Sequence, residues 1–152
     1  DVFYIAQKRG SILLDAVVKS LQDSPDTPNT RWLLLVAHDT NIAMVRTLMP
    51  FNWQLPGYAR GNIPPGSSLV FERWRDTQTG TRYLHIYFQA QSLDELRLLT
   101  PITDTHPLLR EEWHQKDCRS TSVGMLCPYH STLQQFSAAI DHTALSQVSY
   151  PQ

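Results

Sequence analysis

The sequence predicts an α/β fold, and three neighbouring features predict it. Trp32 to Ala37 is continuously apolar, which is typical of a strand covered on both faces in a parallel sheet. The polar turn His38 to Thr40 follows, and Ile42, Val45 and Met49 then recur at helical spacing. Strand, turn and helix in this order are the unit of open α/β sheets, whose ligands bind beyond the carboxyl ends of the strands.

The chain before this unit predicts a short apolar stretch, a turn and a helix. Val2 to Ala6 is apolar, as at a sheet edge, and Gln7 to Gly10 predicts a turn. A helix is predicted from Ser11, because the apolar side chains behind it fall at i, i+3, i+4 and i+7: Leu14, Val17, Val18 and Leu21. Asp23 to Thr30 contains two prolines and predicts a loop.

The middle of the chain predicts a hairpin. Pro50 to Gly66 is rich in proline and glycine and predicts a loop. Ser68 to Arg75 and Arg82 to Gln89 predict two strands around a turn at Thr77 to Gly80. Within the second strand His85 alternates with apolar residues, and we predict that it lies on the surface.

The last third predicts two helices and little else. Ser92 and Glu95 have capping-box spacing and predict a short helix. Thr100 to Cys127 predicts mostly irregular structure. Ser131 and Gln134 suggest a second capping box, followed by an apolar helix stripe formed by Leu133, Phe136 and Ile140. We expect residues 1–152 to form one domain whose tail, 145–152, frays.

Composition limits the classes of partner. The 152 residues carry a formal net charge of -1 and are 41% hydrophobic, enough for a core. This charge gives no argument for binding nucleic acid or an anionic membrane surface. Trp32 to Ala37 is the longest clean apolar run and is far shorter than a membrane span. Because the chain begins at Asp1, we expect a processed chain or a fragment.

The two cysteines allow three interpretations. Cys118 and Cys127 lie close together in a Ser-, Thr- and Gly-rich segment, which favours a disulfide and an oxidising compartment. With His114 and His130 they could instead form a zinc site, although the spacing matches none of the common zinc modules. Two free thiols are the third possibility.

His38, Asp39 and Thr40 are the candidate chemical residues. His38 can donate hydrogen bonds to an anion, Asp39 can act as a general acid, and Thr40 with the following N–H groups can face an oxyanion. The competing interpretation is that Asp39 or Thr40 only caps the helix. A metal-dependent phosphohydrolase of the His-Asp type is less favoured, because its pair lies on a helix with further His and Asp ligands.

Longer segments resemble the histidine acid phosphatase family. Leu33 to Ala43, Phe51 to Gly57 and Pro64 to Trp74 are similar to its C-terminal signature and the segments that follow. Phe88-Gln89, Leu98 to Pro101 and the Cys118 to Cys127 loop extend the resemblance over most of residues 2–140. Within the family the chain is most similar to bacterial periplasmic phytases and glucose-1-phosphatases.

The resemblance implies a fold, a reaction and a compartment. It implies part of a phosphoglycerate-mutase-like three-layer α/β/α domain with a mixed sheet, without the family's helical cap domain, in a periplasmic or secreted protein. It implies phosphomonoester hydrolysis through a phosphohistidine, with Asp39 as proton donor, His38 and Thr40 binding phosphate, and no metal or cofactor. Cys118 and Cys127 resemble the family's late disulfide.

One required motif is missing from the sequence. The family's nucleophile lies in an Arg-His-Gly-x-Arg-x-Pro motif, and none of the six histidines lies between arginine and glycine. We therefore expect a C-terminal portion that is inactive alone and whose partners are the missing N-terminal part and a small phosphomonoester such as phytate or a sugar phosphate. The alternatives are a non-catalytic remnant that binds phosphate esters and a purely structural domain.

Overall fold

The computed structural model describes residues 2–22 and 31–145. Its elements, in chain order, are α1 (Val2–Leu21), α2 (Asp39–Leu48), β1 (Ser68–Arg75), β2 (Arg82–Ala90), α3 (Leu93–Leu98), β3 (Leu109–Glu112), β4 (Arg119–Thr121), β5 (Gly124–Pro128), α4 (Tyr129–Ala139) and α5 (His142–Leu145). Two compact units result, one of residues 1–51 and 133–152 and one of residues 52–132. The predicted loop at 23–30 and residues 146–152 of the predicted tail lie outside the described residues.

Helix α1 is longer than the sequence predicted. The predicted turn at Gln7 to Gly10 and the predicted sheet edge at Val2 to Ala6 are both wrong, because the helix runs unbroken through them. The reason is packing at Gly10, where an added Cβ would lie 2.9 Å from the Met44 Cβ of α2. This glycine therefore permits a close approach of two helices and does not mark a chain reversal. The predicted apolar face is confirmed, with Leu14, Val18 and Leu21 buried.

The start of α5 is fastened to α1 by polar contacts of Asp141. The Lys8 Nζ lies 2.7 Å from Asp141 Oδ2. Asp141 Oδ1 accepts hydrogen bonds from the backbone N–H and the hydroxyl of Thr143. The backbone N–H of Asp141 donates to Ser11 Oγ at 2.8 Å. Helix α1 and the start of α5 are thus joined through a single residue, Asp141.

Acid should weaken this attachment. The hydrogen bonds from Lys8 and Thr143 hold the pKa of Asp141 at about 2, below its ordinary 3.8. Because the folded pKa is the lower one, ionised Asp141 stabilises the fold above pH 3.8 and the contribution is lost as pH falls through about 2. We expect Asp141→Asn to flatten this acid limb in melting temperatures recorded against pH. Asp15→Asn, a matched change in the same unit, should retain it, and an unchanged limb in Asp141→Asn would contradict the assignment.

The segment Trp32 to Ala37 does not form the predicted strand. Residues 31–38 have no regular hydrogen-bonded structure. Trp32, Leu34 and Val36 are exposed to 79%, 64% and 92%. A strand of a parallel sheet needs a neighbour on each edge and cover on each face, and the described residues supply neither to this segment. The apolar pattern predicts that this segment is buried, but the described residues do not cover it.

This exposed segment should cause the isolated chain to self-associate. Consecutive apolar side chains and unpaired extended backbone are the features that drive intermolecular strand pairing. We expect Val36→Lys to lower the association state in analytical ultracentrifugation without lowering the melting temperature, because Val36 packs on little. Val123→Lys, at another exposed valine (41%), is the control and should leave association unchanged. A monodisperse wild-type monomer would refute the prediction.

The second unit contains a sheet in the order β1-β2-β5-β4, with β3 also pairing with β2. The predicted hairpin is confirmed: β1 and β2 are antiparallel and pair Ser68 with Gln89 through Arg75 with Arg82. The prediction that Thr100 to Cys127 is mostly irregular is confirmed, but it missed three short strands, because β3, β4 and most of β5 lie there. These strands have three to five residues each, which gives too little alternation to detect. All pairings among the described strands are antiparallel.

The sheet packs on an aromatic core. Phe88 is fully buried and stacks on Trp53 with 3.9 Å between ring centroids. The Trp53 Nε1–H donates to the carbonyl of Asn62, so the indole is also satisfied as a donor. The predicted cap of α3 is confirmed, since Ser92 Oγ accepts from the Glu95 N–H at 3.2 Å.

Helix α4 confirms one expectation and corrects another. Leu133, Phe136 and Ile140 are buried, as the stripe predicted. The capping box at Ser131 is wrong, because the helix already begins at Tyr129, directly after β5. No helix within the described residues has both the length and the apolarity to cross a membrane.

Candidate active site

His38, Asp39 and Thr40 lie together at the N-terminus of α2. His38 is the residue preceding the helix, with extended backbone angles (φ -84°, ψ 159°). Its carbonyl accepts from the N–H groups of Asn41 and Ile42 at 3.0 and 3.2 Å. Its own N–H donates to Asn41 Oδ1 at 3.1 Å. Because both backbone groups of His38 are bonded, the direction in which its side chain leaves the chain is fixed.

Asp39 is the first residue of α2. Its Oδ1 accepts the N–H of Thr40 at 2.7 Å. A carboxylate in the first helical turn is favoured by the partial positive charge there. His38, Asp39 and Thr40 are all exposed in the described chain, so each side chain can reach a ligand. An imidazole, a carboxyl group and a hydroxyl at the positive end of a helix can bind an oxyanion and move a proton.

The bonds at this turn also support the capping interpretation in part. Neither Asp39 nor Thr40 is the cap residue, because His38 occupies that position. The side chain that closes the turn is that of Asn41. Asn41 lies in the resembling segment Leu33 to Ala43, but the resemblance implies no role for it. Its spacing of three residues from the cap is the signal that could have identified it.

Cys118 and Cys127 are joined in a disulfide bond, with 4.2 Å between their Cα atoms. The disulfide prediction is confirmed, and the alternatives of zinc binding and free thiols are wrong because neither sulfur remains a thiolate. The bond closes the β4–β5 hairpin. His114 and His130, the other members of the zinc alternative, are exposed. Within the described residues no group of three or more His, Cys, Asp or Glu side chains is arranged to hold a metal.

The prediction that His85 lies on the surface is wrong. This residue of β2 is only 3% exposed and lies between two glutamates. Its Nε2 is 2.5 Å from Glu112 Oε2, and its Nδ1 is 3.5 Å from Glu72 Oε2. The signal was present for Glu72, since counting outward from the hairpin turn places it opposite His85. Glu112 comes from β3, which the sequence did not predict. His106 and His142 are exposed, as are His38, His114 and His130.

Comparison with known proteins gives the family. The model of the histidine phosphatase superfamily (branch 2) matches residues 3–89. Phytase AppA of Escherichia coli K12 is 34% identical over 110 residues, which are 68% of this chain and 25% of that protein. A glucose-1-phosphatase of Providencia rettgeri is 27% identical over 114 residues, 75% of this chain and 27% of that protein.

A solved structure agrees over nearly the whole chain. The crystal structure of Klebsiella sp ASR1 phytase matches with a TM-score of 0.89 at 57% identity, covering 99% of this chain and 38% of that one. The predicted α/β class is thereby confirmed. The chain spans about a quarter of the length of the curated relatives it matches. It belongs to branch 2 of the histidine phosphatase superfamily.

Proposed function

We propose that residues 1–152 are the C-terminal portion of the α/β domain of a phosphatase that hydrolyses phosphomonoesters through a phosphohistidine. The observation that carries this proposal is the grouping of His38, Asp39 and Thr40 at the start of α2. That turn lies inside the segment matched by the family model. The other feature expected from the resemblance, the Cys118–Cys127 disulfide, accompanies it.

Each residue has a distinct role in the proposed reaction. His38 and Thr40 bind the phosphoryl oxygens, whose negative charge needs fixed donors. A histidine outside this chain attacks phosphorus, the ester P–O bond breaks, and Asp39 gives its proton to the departing alcohol. Water then attacks the phosphohistidine, Asp39 takes a proton from that water, and the P–N bond breaks to release phosphate. Asp39 ends protonated, as it began.

The nucleophile defines the partner that this chain needs. The 152 residues contain no Arg-His-Gly-x-Arg-x-Pro motif, so a polypeptide with that motif has to complete the site. The exposed apolar segment Trp32 to Val36, which leads directly into His38, supports this assignment. Such a partner would cover the segment and bring its histidine to the same turn. The chain alone is inactive.

The proposed substrate is phytate. The 57% identity with a phytase, against 27% and 35% with two glucose-1-phosphatases, favours it over a sugar phosphate. A sugar phosphate is the second candidate substrate, because the chain also resembles glucose-1-phosphatases. Comparing phytate with glucose 1-phosphate on the completed enzyme separates them. The proposed location is the periplasm or the exterior of the cell, because a disulfide is stable in an oxidising compartment.

The test is reconstitution. The chain, alone and mixed with the motif-bearing N-terminal segment of the Klebsiella phytase, is incubated with para-nitrophenyl phosphate at acidic pH. We expect no turnover alone and turnover in the mixture. Asp39→Asn should lower the recovered kcat by roughly a hundred- to ten-thousand-fold, the usual contribution of a positioned general acid. Asp94→Asn, at an exposed aspartate of α3, is the matched control and should have no effect.

Two results would overturn the proposal. Turnover by the chain alone that is abolished in Asp39→Asn would place a complete site within these residues. Full activity of the reconstituted Asp39→Asn enzyme would show that the turn is structural. The hydrogen bonds of His38 and Asn41 favour that structural role as the second candidate. In that case Asp39→Asn would change stability but not kcat.

A further inference from the structure

The cluster of His85, Glu72 and Glu112 is a second group of chemically active side chains, and the proposed reaction does not use it. The imidazole of His85 is buried, whereas the two carboxylates are about one-third exposed (33% and 34%). Glu72 lies on β1 directly opposite His85 on β2. Glu112 comes from β3, on the other edge of β2. One buried ring therefore faces a negative group on each side.

The proton count of the ring follows from this geometry. Carboxylate oxygens only accept hydrogen bonds, and a neutral imidazole has a single N–H. If that N–H is on Nε2, toward Glu112, the lone pair of Nδ1 points at Glu72 Oε2 3.5 Å away. Nδ1 is buried and has no hydrogen-bond partner among the described residues. A second proton on Nδ1 replaces this repulsion with an ion pair, so the doubly protonated ring is the form that fits.

The groups around the cluster keep Glu72 ionised. Burial raises the pKa of Glu72, but hydrogen bonds from Tyr87 and Trp74 and the nearby His85 outweigh it, and the pKa is lowered from 4.5. The Tyr87 hydroxyl donates to Glu72 Oε1 at 2.7 Å. Burial and this bond raise the pKa of Tyr87 to about 12, so it remains a donor. The positive Arg110 lies over the Tyr87 ring, 3.7 Å from its centroid.

The cluster also holds the hairpin β4–β5. Glu112 Oε2, which receives the His85 bond, accepts the N–H of Met125 in β5 at 2.7 Å. Gly124, beside Met125, lies so close that an added Cβ would be 2.7 Å from His85 Nε2. We propose that His85, Glu72 and Glu112 form a proton-dependent clasp, closed when His85 carries both ring protons and loosened when Nδ1 loses its proton. The hairpin with the Cys118–Cys127 disulfide is the element it holds.

The sign of the pH dependence follows from the charges. Histidines lose their second proton between about pH 5 and 8. The clasp is therefore closed while both ring protons of His85 are present and loosened once the pH is high enough to remove the proton from Nδ1. At the acidic end the clasp is lost only when the Glu72 carboxylate takes up a proton. The lowered pKa of Glu72 keeps this carboxylate ionised to below pH 4.5. This inference does not depend on the proposed phosphatase activity.

The test uses nitrogen NMR of the ring and amide exchange of the full chain, with Val36→Lys added where self-association broadens the signals. At the acidic end of a pH titration we expect both ring nitrogens of His85 to be protonated, and at the alkaline end only Nε2. The protection factor of the Met125 amide should fall roughly tenfold or more over the same change, because Glu112, its acceptor, is then bonded to a neutral ring and no longer to a positive one. The protection of the Leu14 amide in α1 should not follow it.

Variants separate the clasp from general stability. Glu72→Gln keeps an acceptor for Tyr87 and removes the charge, so at about pH 6 a smaller fraction of His85 should be doubly protonated than in the wild type. Glu111→Gln removes a charge from the neighbouring position and should leave that fraction unchanged. A single ring proton at about pH 5 in the folded wild-type chain would overturn the proposal, even if Glu72→Gln fails to fold. Constant Met125 protection would overturn its coupling to the hairpin.

Discussion

Replacing Gly124 with alanine is expected to lower the free energy of unfolding by roughly 2–5 kcal/mol. Gly124 has a φ of +113°, which L residues rarely adopt. An added Cβ would also lie 2.5 Å from Glu112 Oε2 and 2.7 Å from His85 Nε2. The methyl group would thus strain the backbone and push apart the clasp that holds β5. Urea unfolding followed by the fluorescence of the buried Trp53 and Trp113 measures the loss.

Gly80 provides the matched control for this experiment. It also has a positive φ, +73°, but an added Cβ there meets no atom within 4 Å. Gly80→Ala should therefore cost only the backbone strain, about 1–2 kcal/mol. The difference between the two variants isolates the collision with the His85–Glu112 pair. Equal losses would mean that the pair can move aside and that Gly124 is required only for its backbone angle.

Replacing Phe88 with alanine is expected to cost about 3–5 kcal/mol. Phe88 is fully buried and stacks on Trp53 with an interplanar angle of 7°. Removing the ring loses its burial, leaves a cavity beside Trp53 and removes the stacking. Because whole domains are stable by only about 5–15 kcal/mol, the variant should be largely unfolded at moderate urea concentrations. The fluorescence of Trp53, which stacks on Phe88, reports this unfolding directly.

The control for Phe88 is an exposed apolar residue of the same unit. Ile102 is 58% exposed, and Ile102→Ala should change the free energy of unfolding by less than about 0.5 kcal/mol. Phe88→Leu keeps most of the buried volume, so its loss in the free energy of unfolding should lie between those of Phe88→Ala and Ile102→Ala. A loss of less than 1 kcal/mol in Phe88→Ala, or an equal loss in Ile102→Ala, would contradict the assignment of Phe88 to the core.

Local rules were sufficient for some elements. The β1–β2 hairpin was predicted with its turn, because both strands are long enough to alternate and Gly80 ends the turn between them. The capping box of Ser92 and Glu95 placed α3 for the same reason: its signal lies within four residues. The strands β3 to β5 gave no such signal. They exist because they pair with β2 and because a disulfide closes their hairpin.

Two local patterns do not decide the structure. Gly10 falls in a segment whose composition predicts a turn, but it lies where α1 and α2 approach too closely for a side chain. Trp32 to Ala37 is apolar enough to predict a strand, but a strand also needs neighbouring strands with which to pair. The chain covers 38% of the solved phytase it matches, so the environment that the pattern indicates need not lie within these residues.

The sequence by itself determined the family, the disulfide pair as the favoured interpretation and the candidate triad His38-Asp39-Thr40, because each is carried by residues adjacent or close in the chain. Only the tertiary structure decided the burial of His85 and its contact with Glu112, which lies 27 positions away on a strand too short to predict. The other partner, Glu72, follows from the register of the predicted hairpin. Contacts between distant segments depend on the register of the whole sheet, and no local pattern encodes it.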